Sequence, residues 1–328
     1  MTYHAYAGTS LSPVIREEQM RQLALERESV LRHLDEARRR VNDLLSGNVR
    51  VLILDLAHRD IMKEDFRDRA LRHELVELQF GAEDYRHGAM FRHMLGFSPD
   101  DPRVEIWNVA SDPDRKHQPL PDLWIATGGP AMPSELSGPV TANTLWMRAA
   151  MRAMGTLGKV GIPGIAVCLG HELWSLHHGA TMDQVRGEVG TVDLQATAKG
   201  RSTQLLNEWW DDTGYGRIAA HHSEQATSMP PGSEVLAWNR ACDYQAVGWP
   251  LVGHSSVATA DETDQLVVSI QNHPELLARL LEALRYVPDA SLAARGMNIH
   301  ATIFDDTPRA RQIWLRAIQL LARREQNK

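Results

Sequence analysis

Gly164-Ile165-Ala166-Val167-Cys168-Leu169-Gly170-His171 is the stretch on which the reading of this chain turns. Small and β-branched apolar residues, as in a strand buried on both faces, run straight into a cysteine. Gly170 follows two residues later, and residues 172–176 (ELWSL) continue as an apolar helical stretch. A nucleophile carried on a sharp strand-to-helix turn needs this layout. Small neighbours avoid a clash, and the positive end of the following helix favours the thiolate. The alternative is a structural cysteine that closes a buried strand, because free Cys is commonly buried.

Outward from that strand, short apolar runs recur at residues 49–56 (VRVLILDL), 104–109 (VEIWNV), 123–127 (LWIAT) and 266–270 (LVVSI). Helical stretches lie between them at 66–78, 85–95 and 144–157, and further helices are expected at 275–285 and from Thr307, as N-cap, to Ala322. Strands alternating with helices predict an α/β fold, an open and mostly parallel sheet with helices on both faces. Before it, residues 13–46 carry no Gly and, after Pro13, no Pro. Met20, Leu23, Val30, Leu34, Ala37, Val41 and Leu44 fall there in steps of three and four, broken at Arg27. This heptad-like seam predicts a long helix that packs either on the chain's own body or on a second copy.

Composition bounds the function. The chain has 328 residues, 43% hydrophobic and 23% charged, which is globular and leaves room for one large domain with extensions or for two. A net charge of −7 argues against nucleic acid or an anionic membrane as partner. No apolar run is long enough to span a bilayer, and the first twenty residues do not read as a signal peptide. With only Cys168 and Cys242 there is no disulfide framework, and a cytoplasmic location is expected.

A nucleophilic cysteine needs a base, and the base an orienting group. Fifteen histidines make chance matches easy, so position decides. In Ser269-Ile270-Gln271-Asn272-His273-Pro274-Glu275 a histidine stands just past a strand, with a carboxylate two residues on. Catalytic groups of an open parallel sheet gather at the carboxyl ends of its strands, where Cys168 and His273 both fall. A third strand end carries Gly128-Gly129-Pro130. Its backbone could approach a ligand and offer an oxyanion-binding N–H, although by itself it is an ordinary turn. His177–His178 and His221–His222 make no metal site, because adjacent side chains point apart and no other ligand stands at suitable spacing. Trp209–Trp210 read as core cover and Cys242 as structural.

Taken in order, GGP (128–130), CLGHE (168–172) and NHPE (272–275) resemble the class I glutamine amidotransferase domain, as a stand-alone member. Gly187-Glu188-Val189-Gly190 resembles the loop after its elbow helix, and residues 221–237 resemble its H-x-(D/E) strand region. The resemblance covers about 49 to 285 and implies a flavodoxin-like amidotransferase domain over 49–287, between helical extensions at 1–48 and 288–328. It implies Cys168 as nucleophile, His273 as base and Glu275 as its orienter. Gly129 and Leu169 would supply oxyanion N–H groups, and Gly128, Glu172 and His222 substrate contacts. No cofactor and no metal is implied. The substrate would be glutamine or another small amide, with ammonia passed to a synthetase acting in trans, and the N-terminal helix is a candidate surface for a partner or a second copy.

Three features depart from the family. Glu172 stands where many members have Gln, Asn272 replaces a frequent aromatic, and residues 205–217 (LLNEWWDDTGYGR) form an aromatic and acidic insertion. A charged Glu172 would repel the α-carboxylate of glutamine and favour an amine-bearing substrate. A stand-alone hydrolase of a γ-glutamyl or other amide, and a regulatory protein of the same fold without catalysis, are therefore carried as alternatives.

Overall fold

In a computed structural model of the chain, the residues described are 13–57, 87–115, 119–183, 187–250, 266–277 and 303–326; side chains at 13–20, 142–143 and 266 are not described. The expected helices at 66–78 and, beyond Leu277, at 275–285 lie outside them.

The elements follow the expected alternation. Helix α1 is Pro13–Leu44, followed by β1 (Val51–Asp55), α2 (His87–Met94), β2 (Val104–Asn108) and β3 (Leu123–Ala126). Next come α3 (Ala142–Lys159), β4 (Gly164–Val167) and α4 (Leu169–His177). The second half holds β5 (Thr181–Asp183), β6 (Glu188–Ala196), α5 (Ala198–Ser202), β7 (Tyr215–His222), β8 (Gln225–Ser228), β9 (Glu234–Trp238), β10 (Ala246–Pro250), β11 (Leu266–Ile270) and α6 (Gln312–Gln326). Nine strands form one sheet in the order β2-β1-β3-β4-β11-β10-β9-β6-β7. The first five are parallel, with β11 beside β4 and β1 between β2 and β3. The remaining four join antiparallel, a wing that the apolar runs alone do not reveal. Its strands have one half-exposed face, so they lack the continuous apolar runs of the parallel half.

The sheet is covered on both faces. One layer is α3 and α4, with Trp146, Met147, Met154, Leu173 and Trp174 against Leu52, Leu54, Trp124 and Ala166. The other is α1, α2 and α6, with Val30, Leu34, Val41, Phe91, Met94 and Trp314 against Val51, Ile53, Ile125 and Val268. The seam of α1 therefore packs in cis. Leu23, Val30, Leu34, Ala37 and Val41 are buried as spaced, but Leu44 is 40% exposed and Leu45 takes its place in the core. The Arg311 guanidinium pins this layer, pairing with Asp306 through bonds of 2.7 and 3.1 Å and donating to Ser29 Oγ at 2.7 Å. The last helix starts later than expected. Residues 307–311 form turns, and Thr307 Oγ1 is buried without capping any N–H.

Candidate active site

Cys168 ends β4 and is the N-cap of α4. Its φ of 49° makes it the single non-glycine residue in the left-handed region among the described residues. Such a conformation is strained and persists only where the surroundings impose it. Here a strand on one side and a helix on the other impose it. Cys168 N–H bonds Ile270 O at 2.8 Å, and its carbonyl accepts Glu172 N–H at 2.9 Å. Gly170 must be glycine, because a Cβ there would lie 2.7 Å from Ala126 O.

The neighbouring parallel strand β11 delivers the histidine. His273 N–H bonds Ala219 O at 2.8 Å, and His273 Nδ1 donates to Glu275 Oε1 at 2.6 Å. With Nδ1 engaged, Nε2 is buried and lies outside hydrogen-bond length of any acceptor. Burial alone would lower the imidazole. The opposing charges of Glu275 and Cys168 outweigh it and hold His273 well above the usual histidine value. The glycine loop completes the group: a Cβ on Gly128 would stand 2.8 Å from His273 Cε1 and 3.4 Å from Cys168 Cβ. The N–H groups of Gly129 and Leu169 make no hydrogen bond among the described residues. Cys168, His273, Glu275, Gly128, Gly129 and Leu169 thus come from three strand ends and meet at one place.

That place opens into a cleft of about 460 Å³ lined by Gly129, Met132, Cys168, Glu172, His222 and Glu224 among others. Glu172 forms part of its floor, and its Oε1 accepts Gln271 Nε2 at 2.9 Å. Burial, opposed by that hydrogen bond and helped by Glu224, raises the carboxyl to about 8. At neutral pH it is therefore uncharged, and the repulsion of a substrate carboxylate expected from sequence does not arise. A protonated carboxyl is also nearly the shape of the carboxamide found in the family.

His222 closes the wall without facing the cleft through a free nitrogen. Its Nε2 meets Glu188 Oε2 and its Nδ1 meets Glu224 O, both at 3.1 Å. Glu188 also accepts Asn239 Nδ2 at 2.8 Å and a short bond from Gln245 Nε2. Burial works to raise the Glu188 carboxyl, but these donors hold it below the usual carboxylate range. Gln245 Oε1 in turn accepts Asn272 Nδ2 at 2.6 Å, which places the unusual Asn272 in a polar chain rather than an apolar one. Glu224 fastens the opposite wall by accepting Ser134 N–H at 2.8 Å and Ser134 Oγ. Sequence reading assigned nothing to Glu188, Gln245, Asn239 or Glu224 individually. Glu188 lies 34 to 57 residues from its partners, so no local spacing marks the cluster.

The other flagged residues lie elsewhere. Trp209 and Trp210 stack at 4.3 Å inside the core, so the insertion does not bring them to the cleft. His177 and His178 stack among Trp174 and Trp249. Cys242 is buried, and burial pushes its thiol up to about 12. Among the described residues, no three His, Cys, Asp or Glu side chains are grouped so as to hold a metal ion.

Fold and sequence together define a class I glutamine amidotransferase-like domain in this chain. Residues in this chain are 23% identical over 137 positions to the glutamine-hydrolysing GMP synthase of Aromatoleum aromaticum, covering 41% of this chain and 24% of that protein. One of the subunits of the glutamine-hydrolysing GMP synthase of Methanothermobacter thermautotrophicus is 28% identical over 123 residues, 36% of this chain and 54% of that relative. The matches thus span about a quarter to about half of those relatives' length. The fold is shared with a glutamine amidotransferase of Thermotoga maritima, at a TM-score of 0.50 and 13% identity over 84% of this chain and 97% of that one. No family profile matches the chain.

Proposed function

We propose that this chain is a cysteine-dependent amide hydrolase that releases ammonia from glutamine. The observation that carries the reading is the strained Cys168 turn beside a His273 already bound through Nδ1 to Glu275. The Cys168 thiolate attacks the side-chain carbonyl carbon, a C–S bond forms, and the π pair moves to oxygen. The N–H groups of Gly129 and Leu169 receive that oxyanion, each such donor being worth about 10²–10³ in rate. His273, charged through its neighbours, gives the Nε2 proton to the departing nitrogen, and the C–N bond breaks to leave a thioester and ammonia. Nε2 then takes a proton from water as the water attacks. The C–S bond breaks, and glutamate and the thiolate are released.

Residues 49–287 form the catalytic unit in this reading, with 1–48 and 288–328 as helical additions packed on it. The Methanothermobacter relative is named as one of several subunits of its enzyme, which supports a synthetase partner acting in trans. Both cysteines are free, as a cytoplasmic enzyme would keep them. Among the described residues no helix is long and apolar enough to cross a membrane. The neutral state of Glu172 favours glutamine over an amine-bearing substrate. The test is ammonia release from glutamine by the full chain, alone and with candidate synthetases. No release in either case, while Cys168 still reacts with iodoacetamide, would overturn the glutamine assignment.

A further inference from the structure

Helix α2 begins with a histidine that the reaction scheme does not use. His87 Nδ1 lies 3.1 Å from Gly128 O. A carbonyl oxygen only accepts, so the Nδ1 facing it carries the proton. The same oxygen accepts Thr127 Oγ1 at 2.9 Å, and Thr127 Oγ1 is itself held by Leu56 N–H at 2.9 Å. Both lone pairs of the Gly128 carbonyl are thus engaged.

A trans peptide points its C=O and its following N–H in opposite directions. The two bonds to Gly128 O therefore fix the direction of the Gly129 N–H, which makes no hydrogen bond among the described residues and belongs to a residue that lines the cleft beside Cys168. Nothing else in the Gly128–Gly129 unit resists rotation, because neither residue has a Cβ. Thr127 is the adjacent residue and turns with the same loop. His87 is 41 residues away on a separate helix, so it is the anchor from outside.

We propose that His87 is a positioning residue that locks the Gly128–Gly129 peptide with the Gly129 N–H turned into the cleft, and so sets up the oxyanion site before substrate arrives. The inference rests on the amide-hydrolase reading. It assigns His87 no contact with substrate.

The test compares His87→Ala with His87→Asn, whose amide N–H can stand in for Nδ1–H. Glutamine turnover by His87→Ala is expected to show kcat lowered about 10- to 100-fold with KM within about threefold, as for a weakened oxyanion donor. The Asn variant should return to within about threefold of the parent. Alkylation of Cys168 by iodoacetamide should stay within about twofold in all three proteins, since displacement at a saturated carbon forms no oxyanion. An undiminished kcat in the Ala variant, an Asn variant as slow as Ala, or alkylation falling in step with kcat would overturn the proposal. Should the parent alkylate normally yet release no ammonia, the function reading fails by itself. Crystal structures then decide the lock separately: a Gly128 carbonyl turned away in His87→Ala supports it, and an unmoved carbonyl refutes it.

Discussion

Each half of the sheet buries one cysteine and one glutamate of interest, and the two halves treat them oppositely. On the parallel side Cys168 sits in a strained turn at the rim of a cleft, and Glu172 behind it is neutral at pH 7. On the antiparallel side Cys242 has a thiol pushed up to about 12, and Glu188 is held ionised. Depth of burial does not separate the glutamates, since both are largely removed from solvent. Donors do. Glu172 receives one neutral amide, whereas Glu188 receives His222, Asn239 and Gln245. Burial penalises a carboxylate until hydrogen bonds to its charged form exceed the penalty.

The parallel side depends on α1, and removing residues up to Ser46 tests this most severely. Leu23, Val30, Leu34, Val41 and Leu45 are each at most 6% exposed. At about 1.5–3 kcal/mol per side chain their loss approaches the stability of a whole domain. The truncated chain is expected to be insoluble or to lack a cooperative melt. A soluble product with an unchanged melting temperature would show that α1 is dispensable and leave its seam available to a second copy.

The cysteines give the next contrast. Cys168→Ala should lower glutamine hydrolysis by at least about 10³-fold, in line with loss of a nucleophile elsewhere. Cys242→Ala should leave it within about twofold. A glutamine-analogue electrophile should label Cys168 and spare Cys242 in mass spectra of the parent. Equal labelling of both would erase the distinction between the two halves.

Glu188→Gln keeps the shape and removes the charge. It should destabilise the protein by about 3 kcal/mol, because His222 loses its anionic partner and an amide N–H₂ is turned toward the donors of Asn239 or Gln245. Chemical denaturation at pH 7 measures it. A loss below about 0.5 kcal/mol would mean that the cluster is not ionic.

For Glu172 the expectation has the opposite sign and a pH signature. Its folded value near 8 lies above the ordinary 4.5, so the folded state binds the extra proton. The associated stability is complete below about pH 4.5 and is lost as pH rises toward 8. Glu172→Gln removes the dependence. The variant should gain on the parent by on the order of 1 kcal/mol per pH unit in that window, read as a melting-temperature gap that widens from pH 5 to pH 8. Parallel profiles would show that Glu172 is charged in the fold.

The strand endings with Cys168, Gly128–Gly129 and His273 were legible before any coordinates, because each is a local pattern: an apolar run followed at once by a chemically distinctive residue. The parallel order of their strands followed from alternation with helices. The choice between α1 packing in cis and pairing with a second copy was not legible, since an apolar stripe records that a face is covered and not by what. Leu44 and Leu45 show the same limit: at the last turn of a helix either neighbour fits the spacing, and packing selected Leu45. Protonation was beyond the sequence altogether. Glu172 and Glu188 are the same residue type, and their charge at pH 7 is set by donors from β6, β7, β10 and the end of β11, which only the folded sheet brings within hydrogen-bond length.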